Sequence, residues 1–144
     1  MLLKSACYEI QQKHPGCVVY LETGGRPLGQ ALGNSLGVPV FSLNIRYPLS
    51  RWMSRNPVAA PILWLVKEIM YKWTRPVLKS PVDLPHTLSV PLVLADDRVS
   101  SLRTVNAALK TLAARGVTRS QVIVVTQRAG HRAVAGVDYI VEIA

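Results

Sequence analysis

The chain has 144 residues, 17 Lys and Arg against 8 Asp and Glu, and 49% hydrophobic residues. This composition excludes disorder as the dominant state, and the length suits one compact domain with its own core. The longest apolar run, residues 57–66, is ten residues long, whereas a membrane-spanning helix needs about 20. The N-terminus has no continuous apolar region of signal-peptide length, so we expect a soluble, cytoplasmic protein. A net charge of +9 predicts attraction to anions, which could be nucleic acid, phosphorylated metabolites or an acidic membrane surface.

Short apolar runs alternate with amphipathic segments along the chain, a pattern typical of βα units. A helix is predicted over residues 27–36, because Pro27 suits its first turn and Gly37 its end. A second helix should follow the third strand, with Thr104 as its cap, Gly116 at its end and apolar residues at helical spacing: Val105, Ala108, Leu109, Leu112 and Ala113. The predicted strands are residues 17–22, 38–45, 90–96, 121–126 and 138–143. Several are apolar at consecutive positions, so we expect an α/β fold with a mainly parallel five-stranded sheet covered by helices on both faces.

Residues 46–90 depart from this rhythm and form a predicted hood or insert within a single domain of residues 1–144. The segment contains all three tryptophans and most of the prolines, and a helix is predicted over about residues 57–73. Residues 46–80 contain seven basic residues and one acidic residue, Glu68. This segment therefore supplies +6 of the net charge of +9. A packed cover helix or dimer contact with solvated charges is the simplest interpretation. A hood over a ligand, an RNA surface and an interfacial helix on anionic lipid are the alternatives.

Polar residues that could bind a ligand follow the third predicted strand. Asp96 and Asp97 end its apolar run, and the segment Ser100, Ser101, Leu102, Arg103 and Thr104 leads into the predicted helix. Carboxylates accept hydrogen bonds from sugar hydroxyls or help hold hydrated Mg²⁺, and N–H groups at a helix start bind phosphate. The segment therefore predicts a sugar phosphate site. The simpler alternative is that the acids solvate a strand end and the hydroxyls cap a helix.

This segment resembles the phosphoribosyl diphosphate (PRPP) signature of the type I phosphoribosyltransferases: an apolar strand, two acids, and then a phosphate loop. Residues 18–40 look like the family's first strand, turn and helix, whose turn forms the pyrophosphate loop, and the resemblance extends over about four-fifths of the chain. By this resemblance, Asp96 and Asp97 would contact the ribose hydroxyls, and residues 100–104 would bind the 5-phosphate. The pyrophosphate would lie on the turn formed by Thr23, Gly24, Gly25 and Arg26.

The resemblance also implies an activity, namely transfer of 5-phosphoribose from PRPP to a nucleobase-like acceptor with release of pyrophosphate. It implies Mg²⁺ bound with PRPP, held by Asp96 and Asp97 through water, and a homodimer. The C-terminal segment GVDYIVEI resembles the part of purine phosphoribosyltransferases in which an aromatic residue lies against the base. By that match Tyr139 would stack on the base and Ile140 would offer backbone contacts, although the same residues also suit an ordinary strand start.

The sequence departs from the family's pattern at two positions. Leu102 stands where the phosphate loop has glycine, and a side chain there restricts φ and crowds the phosphate. Thr23 stands where many relatives have Arg. These departures and the basic insert leave a second interpretation open: a catalytically impaired member that senses nucleotides or binds RNA.

Other chemistries have weaker signals. His14, His86 and His131 lie in loop-like sequence without a recognisable nucleophile nearby, which disfavours a hydrolase. The turn GGRPLG lacks the spacing of a dinucleotide-binding fingerprint. Cys7 and Cys17 lack metal-ligand spacing, so we expect reduced thiols and no structural zinc.

Overall fold

The computed structural model describes residues 2–22, 24–46, 69, 77–78, 84–99, 102–129 and 139–142. The helices are α1 (Leu2–Gln11), α2 (Arg26–Leu36), α3 (Leu102–Ala113) and a 3-10 helix (Arg119–Gln121). The strands are β1 (Cys17–Leu21), β2 (Val40–Leu43), β3 (Ile45–Arg46), β4 (Val77–Leu78), β5 (Leu92–Val99), β6 (Val122–Ala129) and β7 (Tyr139–Glu142). No helix among these described residues is long and apolar enough to cross a membrane. The helix predicted over residues 57–73 lies outside the described residues except for Ile69.

Five strands form one parallel sheet in the order β2-β1-β5-β6-β7. Strands β3 and β4 form a separate antiparallel pair. Helices lie on both faces of the large sheet, with α3 on one face and α1 and α2 on the other. The predicted α/β fold with a mainly parallel five-stranded sheet is therefore confirmed.

The core lies on both faces of the sheet, because successive strand residues point to opposite sides. On one face, which we call the α3 side, the strands pack against α3 through a cluster that includes Val19, Leu94, Val105, Leu109 and Val124. On the other face, the α2 side, they pack against α1 and α2 through a cluster that includes Ile10, Tyr20, Leu28, Val93 and Val125. Burial on both faces explains why β1 and the neighbouring strands are apolar at consecutive positions.

Three local predictions differ from the structure. The third predicted strand, β5, does not end at Asp96 but continues to Val99, because its last residues stay paired with β6. Thr104 is not a cap, since α3 begins at Leu102 and includes Thr104 in its first turn. Ala113 is exposed and does not face the sheet. The helix α1 was not predicted, and its residues Ala6 and Ile10 are buried on the α2 side.

The end of α3 follows the prediction. Gly116 has φ +81, a backbone conformation that favours glycine. The Gly116 N–H donates to Ala113 O at 3.0 Å and the Val117 N–H donates to Leu112 O at 3.1 Å. This pair of hydrogen bonds is the Schellman pattern of helix ends, and it is accompanied by burial of Val117 and Leu112 in one cluster.

The last part of the predicted insert belongs to the main core. Leu84 and Leu88 are buried in the cluster on the α3 side. Arg115, just beyond α3, donates from Nη1 to Leu84 O at 2.6 Å and to Pro85 O at 2.7 Å. The segment before β5 is therefore fixed to the end of α3.

Candidate functional site

Glycines on one face of α2 bring this helix unusually close to the sheet. Gly25, Gly29 and Gly33 are four residues apart and therefore share a helix face. A methyl group built at Gly29 would lie 2.5 Å from Tyr20 Cβ, and one at Gly33 would overlap Val40 Cγ2. The close approach holds the first residues of α2 over the edge at which the parallel strands end, which we call the carboxyl edge.

A tight turn joins β1 to α2 at this edge. The Glu22 N–H donates to Leu43 O of β2 at 3.2 Å, and the Gly25 N–H donates back to Leu21 O at 2.9 Å. Gly24 has φ +149, which an L side chain rarely adopts. We call residues 22, 24 and 25 the glycine turn. Thr23 lies outside the described residues.

The glycine turn packs directly on β5. A methyl group at Gly24 would lie 2.5 Å from Asp97 Cγ and 2.7 Å from Asp97 Oδ1. One at Gly25 would lie 2.6 Å from Ala95 O. The turn after β1 and the acids of β5, which the resemblance assigns to pyrophosphate and ribose, therefore meet at the carboxyl edge.

Asp96 and Asp97 lie on opposite faces of the sheet. Leu94 packs on the α3 side and Ala95 on the α2 side, so alternation assigns Asp96 to the α3 side and Asp97 to the α2 side. Asp96 is only 4% exposed and pairs in register with Thr126 of β6, which is fully buried. Asp97 is half-buried beside the glycine turn. A ligand on this turn would meet Asp97 first.

Thr126 is a polar residue that sequence reasoning did not select. It is the first polar residue after the apolar run of β6, and it shares the α3 side with Asp96. Both residues take part in further interactions. The signal was present in the sequence as a hydroxyl residue at the end of a buried strand.

The predicted phosphate segment straddles the start of α3. Leu102, Arg103 and Thr104 form the first turn of this helix, whereas Ser100 and Ser101 lie outside the described residues. Arg103 is exposed and Thr104 is half-buried. N–H groups in the first turn of a helix have no acceptor within the helix, so this turn can donate to an anion. Because β1 and β5 are parallel neighbours, α2 and α3 both begin at the carboxyl edge.

Arg26, the first residue of α2, is the cation nearest to the glycine turn in sequence. Its side chain is 62% exposed and lies 3.9 Å from the Glu22 carboxylate. An exposed pair of this kind contributes little to stability, because solvent screens it. The guanidinium of Arg26 can therefore turn towards a phosphate at small cost.

Tyr139 and Ile140 lie at the beginning of β7. Tyr139 pairs in register with Ile123 of β6, which pairs with Val93 of β5. Val93 precedes Asp96 by three residues, so Tyr139 lies about 10 Å along the strand direction from the position of Asp96. The backbone therefore places Tyr139 and Ile140 away from the glycine turn, and their contact with a base stays a prediction.

The donor set suits a Mg²⁺ ion that arrives with a phosphate ligand. Among the described residues, no group of three or more His, Cys, Asp or Glu side chains could hold a metal ion. Asp97 places one half-buried carboxylate at the glycine turn. Mg²⁺ is commonly held by one or two carboxylates together with substrate phosphates and water. These residues fit that arrangement, in which the ligand supplies most of the coordination.

Cys17 lies at the opposite edge of the sheet, at the beginning of β1. Burial raises the pKa of its thiol, and a hydrogen bond to the Ser89 backbone opposes this shift. The Cys17 Sγ lies 3.4 Å from Ser89 O. A raised pKa and the distance from the carboxyl edge make this thiol unsuited to act on a ligand of the site.

Comparisons with known proteins identify the fold. No protein-family model matches the sequence, and no curated protein matches it either. A purine phosphoribosyltransferase from Pyrococcus horikoshii Ot3 is structurally similar, with a TM-score of 0.67 and 15% identity over 98% of this chain and 79% of that chain. A hypothetical protein from Neisseria gonorrhoeae with bound ppGpp is similar with a TM-score of 0.56 and 13% identity over 98% and 77% of the two chains. The chain therefore has a phosphoribosyltransferase-like α/β fold.

Proposed function

We propose that this protein binds PRPP at the carboxyl edge of β1 and β5 and transfers 5-phosphoribose to a nucleobase-like acceptor. The observation that carries the proposal is the packing of Gly24 against the Asp97 carboxylate. It joins the two segments that the resemblance assigns to pyrophosphate and ribose. The structural similarity to a purine phosphoribosyltransferase supports the same assignment.

The proposed ligand would extend along the carboxyl edge from the start of α2 to the start of α3. Its diphosphate would lie on residues 23–26, where N–H groups at the helix start and the exposed guanidinium of Arg26 supply positive charge. The ribose hydroxyls would contact Asp97. Contact with Asp96, which is 4% exposed on the opposite face of β5, would require a ribose that spans both faces at the carboxyl edge. The 5-phosphate would lie on residues 100–104 at the start of α3. Mg²⁺ would enter with the diphosphate and neutralise part of its charge, with Asp97 as a carboxylate that could hold it.

The proposed reaction is a substitution at C1 of the ribose. A nitrogen lone pair of the acceptor forms the N–C1 bond while the bond from C1 to the pyrophosphate oxygen breaks. The bonding electron pair leaves with pyrophosphate, and the acceptor nitrogen loses its proton to water. Positive charge develops on the ribose ring, so a carboxylate held beside the ring lowers the barrier, and the remaining contribution is positioning.

The wider organisation belongs to the same proposal. One phosphoribosyltransferase-like domain would span residues 1–144, with residues 46–90 as a hood. Contact of Tyr139 and Ile140 with the nucleobase would require the acceptor to extend away from the glycine turn towards β7. The protein would act in the cytoplasm as a homodimer. The acceptor would be selected by loop residues, because loops carry specificity on folds of this kind.

A second candidate is nucleotide binding without transfer. Leu102 begins α3 at the position where the resembled phosphate loop has glycine, and a protein of similar fold has ppGpp bound. Such a module would bind a phosphorylated nucleotide at the same edge and signal through the basic insert, with RNA as one partner. It needs the phosphate contacts of the site but no pyrophosphate release.

Calorimetric titration with PRPP, with and without Mg²⁺, tests the proposal. We expect Mg²⁺-dependent binding, together with pyrophosphate release when a panel of purine and pyrimidine bases is added. Asp97→Asn should weaken PRPP binding about 10- to 100-fold, since a charge-assisted hydrogen bond is worth about 1.5–3 kcal/mol. Glu9→Gln, an exposed acid of α1, is the matched control and should bind as the wild type does. Absence of PRPP binding overturns the proposal, and ppGpp binding without pyrophosphate release favours the second candidate.

A further inference from the structure

The side chain of Asn44 has a buried oxygen without a hydrogen-bond partner. Asn44 lies between β2 and β3, and its neighbours Leu43 and Ile45 are buried in the core. Its Oδ1 is the one buried side-chain oxygen or nitrogen among the described residues that has no hydrogen-bond partner. Because an unpaired buried polar atom lowers stability, native proteins keep few of them, and each calls for an explanation.

The position of Asn44 connects it to the glycine turn. The Leu43 carbonyl, directly before Asn44, accepts the hydrogen bond from Glu22 in this turn. Leu43 and Ile45 both pack on the α3 side, so alternation assigns Asn44 to the α2 side, which is also the side of Asp97. Strand β2 flanks β1 on one side and β5 flanks it on the other. Asn44 and Asp97 therefore flank the glycine turn from its two sides.

We infer that Asn44 is a positioning residue of the proposed site, whose Oδ1 accepts a hydrogen bond from an O–H group of the bound ligand. This inference rests on the proposed function. Phosphate oxygens that carry charge only accept hydrogen bonds, so the donor is either a ribose hydroxyl or a water bound to the Mg²⁺ of a diphosphate. In the free protein this oxygen stays buried and unpaired. Because Asn44 as a whole is half-buried, rotation about χ2 would turn Oδ1 towards the bound ligand, which supplies the missing donor.

This role makes an unusual prediction for an apolar substitution. Asn44→Leu keeps the branching at Cγ and removes the unpaired oxygen, so the free protein should become more stable while ligand binding weakens. Asn106→Leu is the matched control, because Asn106 Oδ1 accepts a hydrogen bond from Arg119 Nη1 at 3.0 Å. There the same substitution removes a hydrogen bond that is made, so stability should fall and ligand affinity should stay unchanged. Asn44→Ala repeats the test without added side-chain volume.

Thermal unfolding without ligand gives the first measurement. We expect Asn44→Leu or Asn44→Ala to raise the midpoint by about 2–4 °C and Asn106→Leu to lower it by a similar amount. A lower midpoint for both Asn44 variants would assign the amide a purely structural role and overturn the inference.

Calorimetric titration gives the second measurement, with Mg²⁺-diphosphate and ribose 5-phosphate as separate probes. We expect Asn44→Leu to bind one of them about tenfold more weakly than the wild type. A loss confined to Mg²⁺-diphosphate identifies a metal-bound water as the donor, and a loss confined to ribose 5-phosphate identifies a hydroxyl. Unchanged affinity for both overturns the inference while the proposed function stands. PRPP is the third probe: unchanged affinity of Asn44→Leu for PRPP overturns the inference, whereas absence of wild-type PRPP binding contradicts the proposed function itself.

Discussion

Gly24 lies so close to the Asp97 carboxylate that a methyl group at position 24 would be 2.5 Å from Asp97 Cγ. The two residues belong to different βα units and meet because β1 and β5 are parallel neighbours. Their contact leaves no space for a side chain at position 24. It also brings a carboxylate to the point where α2 begins.

Gly24→Ala should therefore damage both stability and ligand binding. The methyl group meets Asp97, and φ +149 is unfavourable for alanine. We expect a loss of about 1–3 kcal/mol in the free energy of unfolding, measured with urea, since a strained backbone position and a clash each contribute at this level. PRPP affinity should fall as well, because Asp97 must move.

Gly37→Ala is the matched control for this substitution. Gly37 has φ +67, yet nothing lies within 4 Å of a methyl group built there. It should lose about 1 kcal/mol of stability from backbone conformation alone and should bind PRPP as the wild type does. If both variants lose affinity equally, the Gly24 contact has no special part in binding.

The approach of α2 to the sheet makes a second prediction. Gly33→Ala overlaps Val40 Cγ2, and overpacking of this kind costs about 1–3 kcal/mol. The double variant Gly33→Ala, Val40→Ala removes the overlapping methyl group. It should be more stable than the sum of the two single changes predicts, by about 0.5–3 kcal/mol in a double-mutant cycle. If the changes in the free energy of unfolding of the two single variants add up to that of the double variant, α2 can move away from β2 at little cost in stability.

Sequence periodicity was sufficient for the fold. Apolar runs in β1, β5 and β6 are buried on both faces, as parallel strands covered by helices require. Helix α2 begins one residue before Pro27 and ends directly before Gly37. Gly116 lies in the Schellman pattern that ends α3. Helix α1 was not predicted, because its packing on α2 depends on contacts that form only in the folded chain.

The site was only partly predictable. With the third strand predicted to end at Asp96, Asp96 and Asp97 would form a pair that faces one ligand. Since β5 continues to Val99, alternation sends the two carboxylates to opposite faces. Asn44 had no sequence signal, because its unpaired oxygen depends on which residues surround it after folding.

Arg115 provides a stability prediction away from the site. Its Nη1 donates to the carbonyls of Leu84 and Pro85, so Arg115→Ala should cost about 1–3 kcal/mol in the free energy of unfolding. Arg115→Lys keeps the charge without the planar fork and should recover only part of the loss. PRPP affinity should stay at the wild-type level in both variants. Reduced affinity would indicate that the segment before β5 influences the carboxyl edge.

The Cys17 thiol makes the stability of the fold depend on pH in the alkaline range. Burial raises the pKa of its thiol above the ordinary value of 9.0, so the folded state retains a proton that the unfolded state releases. The contribution of this group to the free energy of unfolding is thus fully present below about pH 9 and declines as the pH rises towards the folded-state pKa. Lys and Tyr also titrate in this range, so the measurement is the difference between the wild type and Cys17→Val, whose buried side chain does not titrate. Urea unfolding at pH 7.5–10.5 should show the wild type losing more stability than Cys17→Val as the pH rises, whereas parallel curves would mean that the thiol has the same pKa in both states.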